Sequence, residues 1–196
     1  MPTLEEQLQT AGLQVVGCCE LLSKSHPDLI EHSPLLEDFT PQQADVLGLS
    51  MLLVRAEAGQ VMIREGEAGD WMMLVLGGTV DVTKRIERRD DEADALSAGA
   101  GEAAAQAGIE PSQSRVAVLQ RGAAIGEMSM LDSGLRYTTC TAIEPVEAGV
   151  LGRRAIALLI RDHPAVGAKL LVKITQLMAQ RLRNTSNQLV KMLQKA

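Results

Sequence analysis

The chain has 196 residues, enough for one domain with helical appendages, and 46% of them are hydrophobic, enough for a packed core. Phe39, Trp71 and Tyr137 are its only aromatics of their kinds, so the core is aliphatic and base stacking on single-stranded nucleic acid is disfavoured. The net charge of −6 is uneven: the first 162 residues hold 13 basic against 25 acidic groups, while residues 163–196 hold Lys169, Lys173, Arg181, Arg183, Lys191 and Lys195 and no acid.

Late basic groups suit the negative end of a helix dipole, and they also attract an anionic ligand or an acidic partner. Cys18, Cys19 and Cys140 are an odd set with an adjacent pair, which does not make a disulfide framework. Met1 to Glu6 lacks the basic and apolar regions of a signal peptide, and no run reaches the ~20 apolar residues of a membrane span. A cytoplasmic protein without a membrane span is expected.

Thr3-Leu4-Glu5-Glu6 fits a capping box, and Leu4, Leu8, Val15, Cys19 and Leu22 then recur at helical spacing up to Ser25-His26-Pro27. Residues 34–50 read as a second helical region, with Pro41 near its start. From Leu52 short apolar stretches alternate with glycine turns. Strands are expected at Leu52–Glu57, Val61–Arg64, Trp71–Leu76 and Thr79–Lys84, separated by Gly59, by Glu65 to Asp70 and by Gly77-Gly78. Residues 87–114 interrupt this rhythm with a charged and then Ala/Gly-rich run, which reads as a long mobile hairpin insertion with room for a helix around Glu102 to Gln106. Strands resume at Arg115–Leu119, Thr138–Ile143 and Gly149–Leu151. Even spacing of short strands signals an all-β barrel or sandwich.

Between the last strands lies Gly126-Glu127-Met128-Ser129-Met130-Leu131-Asp132-Ser133-Gly134-Leu135-Arg136-Tyr137-Thr138. An arginine fork pairs bidentately with a phosphate, a carboxylate accepts from a sugar hydroxyl, and backbone N–H groups of a tight turn hold further phosphate oxygens. Glu127 and Arg136 therefore suit a small ligand carrying both phosphate and sugar. His26, His32 and His163 are too scattered for a metal site, and no nucleophile–base pair appears, so catalysis is not expected.

After a short helix at Arg154–Arg161, a long helix starts at Pro164, where a first-turn proline is tolerated. Leu171, Thr175, Met178, Leu182, Thr185, Leu189 and Met192 follow a heptad seam, with Leu170, Ile174 and Leu177 as a second stripe in the first half only. One stripe can pack on the barrel while the other meets a partner helix, as in a parallel coiled-coil homodimer.

Several motifs stand in family order from Leu49 to Met192: Gly59-Gln60-Val61, Glu65-Gly66-Glu67-Ala68-Gly69-Asp70, Leu76-Gly77-Gly78-Thr79-Val80, Ile125-Gly126-Glu127 with Arg136, and residues 178–186 of the last helix. This set resembles the cyclic nucleotide-binding domain, the sensory module of the catabolite activator protein and of protein kinase A regulatory subunits. The resemblance implies a mostly β double-stranded β-helix (jelly-roll) barrel at 49–153, preceded by a helical segment 1–48 and followed by helices 154–196 that include a dimerisation helix. Gly126 and the nearby backbone through Met128 would approach the sugar, and Glu127 would accept from the ribose 2′-hydroxyl. Arg136 would pair with the cyclic phosphate, helped by the N–H of Tyr137 and the N–H or hydroxyl of Thr138. Arg181 would reach the pocket from the helix. Thr185 and Ser186 resemble the pair that contacts the adenine edge, one from each protomer, which favours cAMP over cGMP. Tyr137 stands where the family commonly has a small residue, and Leu135 where it often has proline. No helix-turn-helix follows the long helix before Ala196, so direct DNA binding is not expected. The resulting expectation is a cAMP sensor that signals to an effector protein through its last helix. The alternative is an interaction module with a vestigial pocket, in which Glu127 and Arg136 form a structural ion pair.

Overall fold

The structure, a computed structural model, describes residues 3–86 and 113–194. The expected insertion at 87–114, with the helix around Glu102 to Gln106, lies outside the described residues up to 112, and its last two residues, Gln113 and Ser114, open a strand instead.

Helix α1 (Leu4–Thr10) starts at the expected capping box: Glu6 N–H donates to Thr3 Oγ1 at 3.2 Å and Thr3 N–H to Glu6 Oε2 at 2.7 Å. It ends at Thr10 rather than running on to Leu22, because Gly12 adopts φ +79°, which a helix cannot use. The Val15 and Val16 that follow lie in a strand, β1 (Gln14–Cys18), whose backbone pairs antiparallel with β2 (Leu52–Ala56). Ladder pairing outweighed a helical spacing that two glycines had already weakened. Helices α2 (Leu22–Ser25), α3 (Pro27–His32) and α4 (Pro41–Leu49) complete the N-terminal part, the last opened by a Thr40–Gln43 capping box with Pro41 in the first turn.

Strands β3 (Val61–Ile63), β4 (Trp71–Gly77), β5 (Val80–Arg85), β6 (Gln113–Leu119), β7 (Ala124–Ile125), β8 (Thr139–Ala142) and β9 (Val146–Gly152) build two antiparallel sheets, ordered β1-β2-β9-β4-β7 and β3-β8-β5-β6. The strand rhythm points to an all-β barrel or sandwich and the resemblance to a jelly roll, and the two sheets are that jelly roll. One core fills the space between the sheets, with Val54, Met73, Val75, Val80 and Val150 fully buried. A second core lies between the five-stranded sheet and the helices, with Leu22, Leu35, Leu47, Leu74 and Leu170. The two cores explain why Trp71 to Leu76 is apolar without alternation: Trp71, Met73 and Val75 face one core, and Met72, Leu74 and Leu76 the other.

Helix α5 (Glu127–Asp132) sits between β7 and β8, and helices α6 (Arg153–Asp162) and α7 (Pro164–Leu193) follow the barrel. Leu170 and Ile174 of α7 are fully buried, whereas every residue from Gln180 to Gln194 is exposed. The buried half is pinned to the segment before α4. Lys173 Nζ meets Asp38 Oδ2 at 2.6 Å and Glu37 Oε2 at 3.4 Å, and Lys169 Nζ donates to the Asp38 carbonyl at 2.8 Å and to Gln43 Oε1 at 2.7 Å. The Lys173 hydrogen bond holds Asp38 below the usual carboxylate range, and the same bond raises Lys173. No helix among the described residues is long and apolar enough to cross a membrane.

Candidate functional site

The site is built where α5 leaves β7. Gly126 has φ +77°, and a Cβ there would sit 2.7 Å from Arg136 Nη1 and 3.1 Å from Ile63 Cδ1. Glycine is thus required by both backbone conformation and close approach. Helix α5, where the sequence suggested only a turn, closes on Ser133 with φ +62° and on an Asp132 side chain that accepts from Gly134 N–H at 2.8 Å. The chain then runs back beside the β3–β4 turn. Arg136 N–H donates to the Glu67 carbonyl at 2.8 Å, and Gly66 N–H to the Arg136 carbonyl at 2.9 Å, so the Arg136 backbone is held from both sides.

Arg136 is buried, only 4% exposed. Its Nη1 donates to the Gly126 carbonyl and to Ser129 Oγ, both at 2.7 Å, and its Nη2 donates to the Trp71 carbonyl at 2.8 Å. Its guanidinium carbon lies 4.1 Å from the centre of the Trp71 ring, a cation–π contact. Of the five guanidinium hydrogens three are engaged, leaving Nε–H and one on Nη2. Gly69 keeps that side clear: a Cβ there would stand 2.6 Å from Nε and 2.7 Å from Cζ. Burial pulls the Arg136 pKa down to about 10, so the group is cationic at neutral pH.

Glu127 is buried at 1% exposure. Its ion-pair partner is Arg181 of α7, whose Nη1 donates to Glu127 Oε1 and whose Nη2 donates to the Ala124 carbonyl at 2.6 Å. Glu127 and Arg136 are therefore not partners of each other; each has its own. Arg181, which the resemblance implied at the pocket, thus lies against Glu127. Thr185 and Ser186 are exposed, and the Thr185 hydroxyl donates back to the Arg181 carbonyl at 3.0 Å. Met128 and Tyr137 are exposed at 42% and 59%. The Tyr137 ring lies over Lys84, with Nζ 4.0 Å from the ring centre, and Thr138 is half-buried.

Ser129, Gly69 and Lys84 were not singled out from sequence. Ser129 lies one helical turn beyond Gly126, and a buried arginine needs acceptors, which is the signal that points to it. Trp71 is a core residue, as its apolar strand suggested, and its stacking on Arg136 emerges only from the fold. Cys140 and Cys19 are pushed up by burial to about 11 and about 12 and stay as thiols. Among the described residues no group of three or more His, Cys, Asp and Glu side chains could hold a metal ion.

A cleft of about 740 Å³ is a neighbour of this cluster rather than its interior. It is lined by Gln7 and Thr10 of α1, Met62, Gly69, Trp71 and Arg153, and it excludes Glu127, Arg136 and Arg181. The two meet at Gly69 and Trp71.

Residues 53–163 match the cyclic nucleotide-binding domain family model. The chain is 22% identical over 166 residues to the CRP-like cAMP-activated global transcriptional regulator of Mycobacterium tuberculosis, covering 85% of this chain and 62% of that protein. It is 27% identical over 137 residues to the cAMP-dependent protein kinase regulatory subunit of Yarrowia lipolytica, covering 68% of this chain and 30% of that one. In structure it is similar to a cyclic nucleotide-binding domain from Methylobacillus flagellatus KT, with a TM-score of 0.70 at 26% identity, covering 91% of this chain and 88% of the other. The chain thus spans less than two thirds of the length of either of these curated relatives. With the motif order, the two-sheet barrel and the family match in agreement, the chain belongs to the cyclic nucleotide-binding domain family.

Proposed function

We propose that the chain is a cyclic-nucleotide sensor, with cAMP its favoured ligand over cGMP, and that it reports occupancy through α7 without catalysis. The observation that carries this reading is the junction of Glu127 with Arg181. A buried carboxylate suited to a ribose hydroxyl is held by a side chain of the very helix that would carry the signal. A ribose at Glu127 competes with Arg181, and a phosphate at Arg136 draws on the two hydrogens left by the Gly126 and Trp71 carbonyls and the Ser129 hydroxyl. Ligand and helix position are then linked, because a ligand shifts an equilibrium by its difference in affinity for the two states. Gly126, Met128, Tyr137 and Thr138 supply the backbone of the cradle.

The relatives support the ligand and the class: one is described as cAMP-activated and the other as a cAMP-dependent kinase's regulatory subunit. Leu182, Leu189 and Met192 are 69%, 58% and 69% exposed on the free half of α7, which supports a homodimer through this helix. Thr185 and Ser186 then approach the base from a dimer seam. The output goes to an effector protein, and the location is the cytoplasm.

A second reading has its own observation. Glu127 and most of the Arg136 fork are already satisfied within the protein, as befits an interaction module with a vestigial pocket. Titration of demonstrably nucleotide-free protein with cAMP and cGMP separates the two. Saturable binding supports the sensor, and no binding at high micromolar ligand supports the vestigial pocket.

A further inference from the structure

Lys84 is the penultimate residue of β5, on the face that also carries the buried Val80 and Val82. Its ammonium has three contacts. It donates to Glu65 Oε1 at 2.8 Å and to the Tyr137 carbonyl at 2.9 Å, and it lies 4.0 Å from the centre of the Tyr137 ring. Glu65 is itself held, accepting from Arg85 N–H at 2.9 Å while its own N–H donates to Thr139 Oγ1 at 3.1 Å. Three elements therefore converge on one lysine: the turn after β3, the end of β5 and the stretch between Arg136 and β8. Burial alone would raise the Glu65 carboxyl, but the bonds from Lys84 and Arg85 N–H outweigh it and keep Glu65 low, hence ionised at neutral pH.

The Tyr137 carbonyl and the Thr138 N–H belong to one planar trans peptide, so they point in opposite directions. Fixing the carbonyl on Lys84 fixes the aim of the Thr138 N–H. The same ammonium keeps the Tyr137 ring, 59% exposed, on its own side. A bulky ring at this position would otherwise be free to turn into the space beside Arg136.

We infer that Lys84, oriented by Glu65, is a positioning residue for the anion cradle: it aims the Thr138 N–H at the ligand phosphate and parks the Tyr137 ring outside. This role rests on the nucleotide-sensor reading above, and it assigns a purpose to the one cassette residue that departs most from the family pattern.

The test compares wild type, Lys84→Met and Lys84→Arg, each titrated with cAMP and with adenosine, which has the base and ribose without the phosphate. Lys84→Met is expected to weaken cAMP roughly tenfold, the order expected for loss of a charged hydrogen bond that is a third exposed, and to leave adenosine within about twofold. Lys84→Arg restores most of the preference for the phosphate-bearing ligand. Tyr137 is the sole tyrosine, so protein carrying labelled tyrosine gives one set of ring signals, and these shift in Lys84→Met without ligand. Equal weakening of cAMP and adenosine, unchanged cAMP affinity or an unmoved tyrosine signal each overturns the inference while leaving the sensor reading intact. Wild-type protein that binds no cyclic nucleotide overturns both.

Discussion

Glu127 and Arg181 lie 54 residues apart in sequence and form one ion pair, joining a fully buried carboxylate at the start of α5 to the middle of α7. The pair is half in solvent, since the Arg181 side chain is 44% exposed and that of Glu127 only 2%. Its worth is therefore well below that of a fully buried pair, yet removing the cation strands the carboxylate. Arg181→Ala is expected to destabilise the protein by about 1–3 kcal/mol in urea unfolding. A double-mutant cycle with Glu127→Gln should return a coupling of about 1 kcal/mol or more. Additive losses would mean that the two side chains are merely adjacent.

Gly69 guards the other side of the site. Alanine there places a methyl 2.6 Å from Arg136 Nε and so displaces the guanidinium from the Trp71, Gly126 and Ser129 acceptors. Gly69→Ala is expected to cost about 1–3 kcal/mol of stability and to weaken cAMP at least roughly tenfold. A variant with wild-type affinity and melting temperature would show that Arg136 has another seat to move to.

Much of this was readable in advance, for identifiable reasons. Val80, Val82 and the Gly77-Gly78 turn announce β5 because alternation and turn chemistry agree there. β1 was hidden because Leu4, Leu8, Val15 and Cys19 fit a helical stripe, and only pairing with β2 decides for a strand. α5 was hidden because its six residues are flanked by Gly126 and Ser133, both at positive φ, and a helix so short has no periodicity to read. Glu127 and Arg136 could be nominated from residue type and spacing. The pairing itself comes from the fold: Arg181 holds Glu127, and Ser129 with the Gly126 and Trp71 carbonyls holds Arg136.

The Asp38–Lys173 contact gives a pH signature. Asp38 is depressed in the folded state, so on acidification the unfolded state takes up the proton first. Its contribution is present above the ordinary carboxylate value of about 3.9 and is lost as pH falls through the lower folded value. Lys173 is raised, so its contribution is complete below the ordinary lysine value of about 10.4 and is lost as pH rises through the higher folded value. Asp38→Asn should lower the melting temperature at pH 7, and the gap from wild type should close towards pH 2. A gap that persists undiminished in acid would exclude the ion pair as its source.

The free half of α7 predicts an oligomer. Leu182→Glu with Leu189→Glu places two charges on the exposed seam, where a parallel partner helix would bury them. Sedimentation velocity should find wild type as a dimer at micromolar concentration and the double variant as a monomer with an unaltered far-UV spectrum. A monomeric wild type would remove the seam from the account.

The central claim is that this cassette holds a cyclic nucleotide, and isothermal titration of nucleotide-free protein tests it most directly. Titration should give a saturable heat with cAMP at one ligand per chain, weaker binding of cGMP, and a loss of at least roughly a hundredfold in Arg136→Ala, where a phosphate loses its paired cation in a buried site. No heat with either nucleotide at high micromolar concentration, or full affinity in Arg136→Ala, would contradict it.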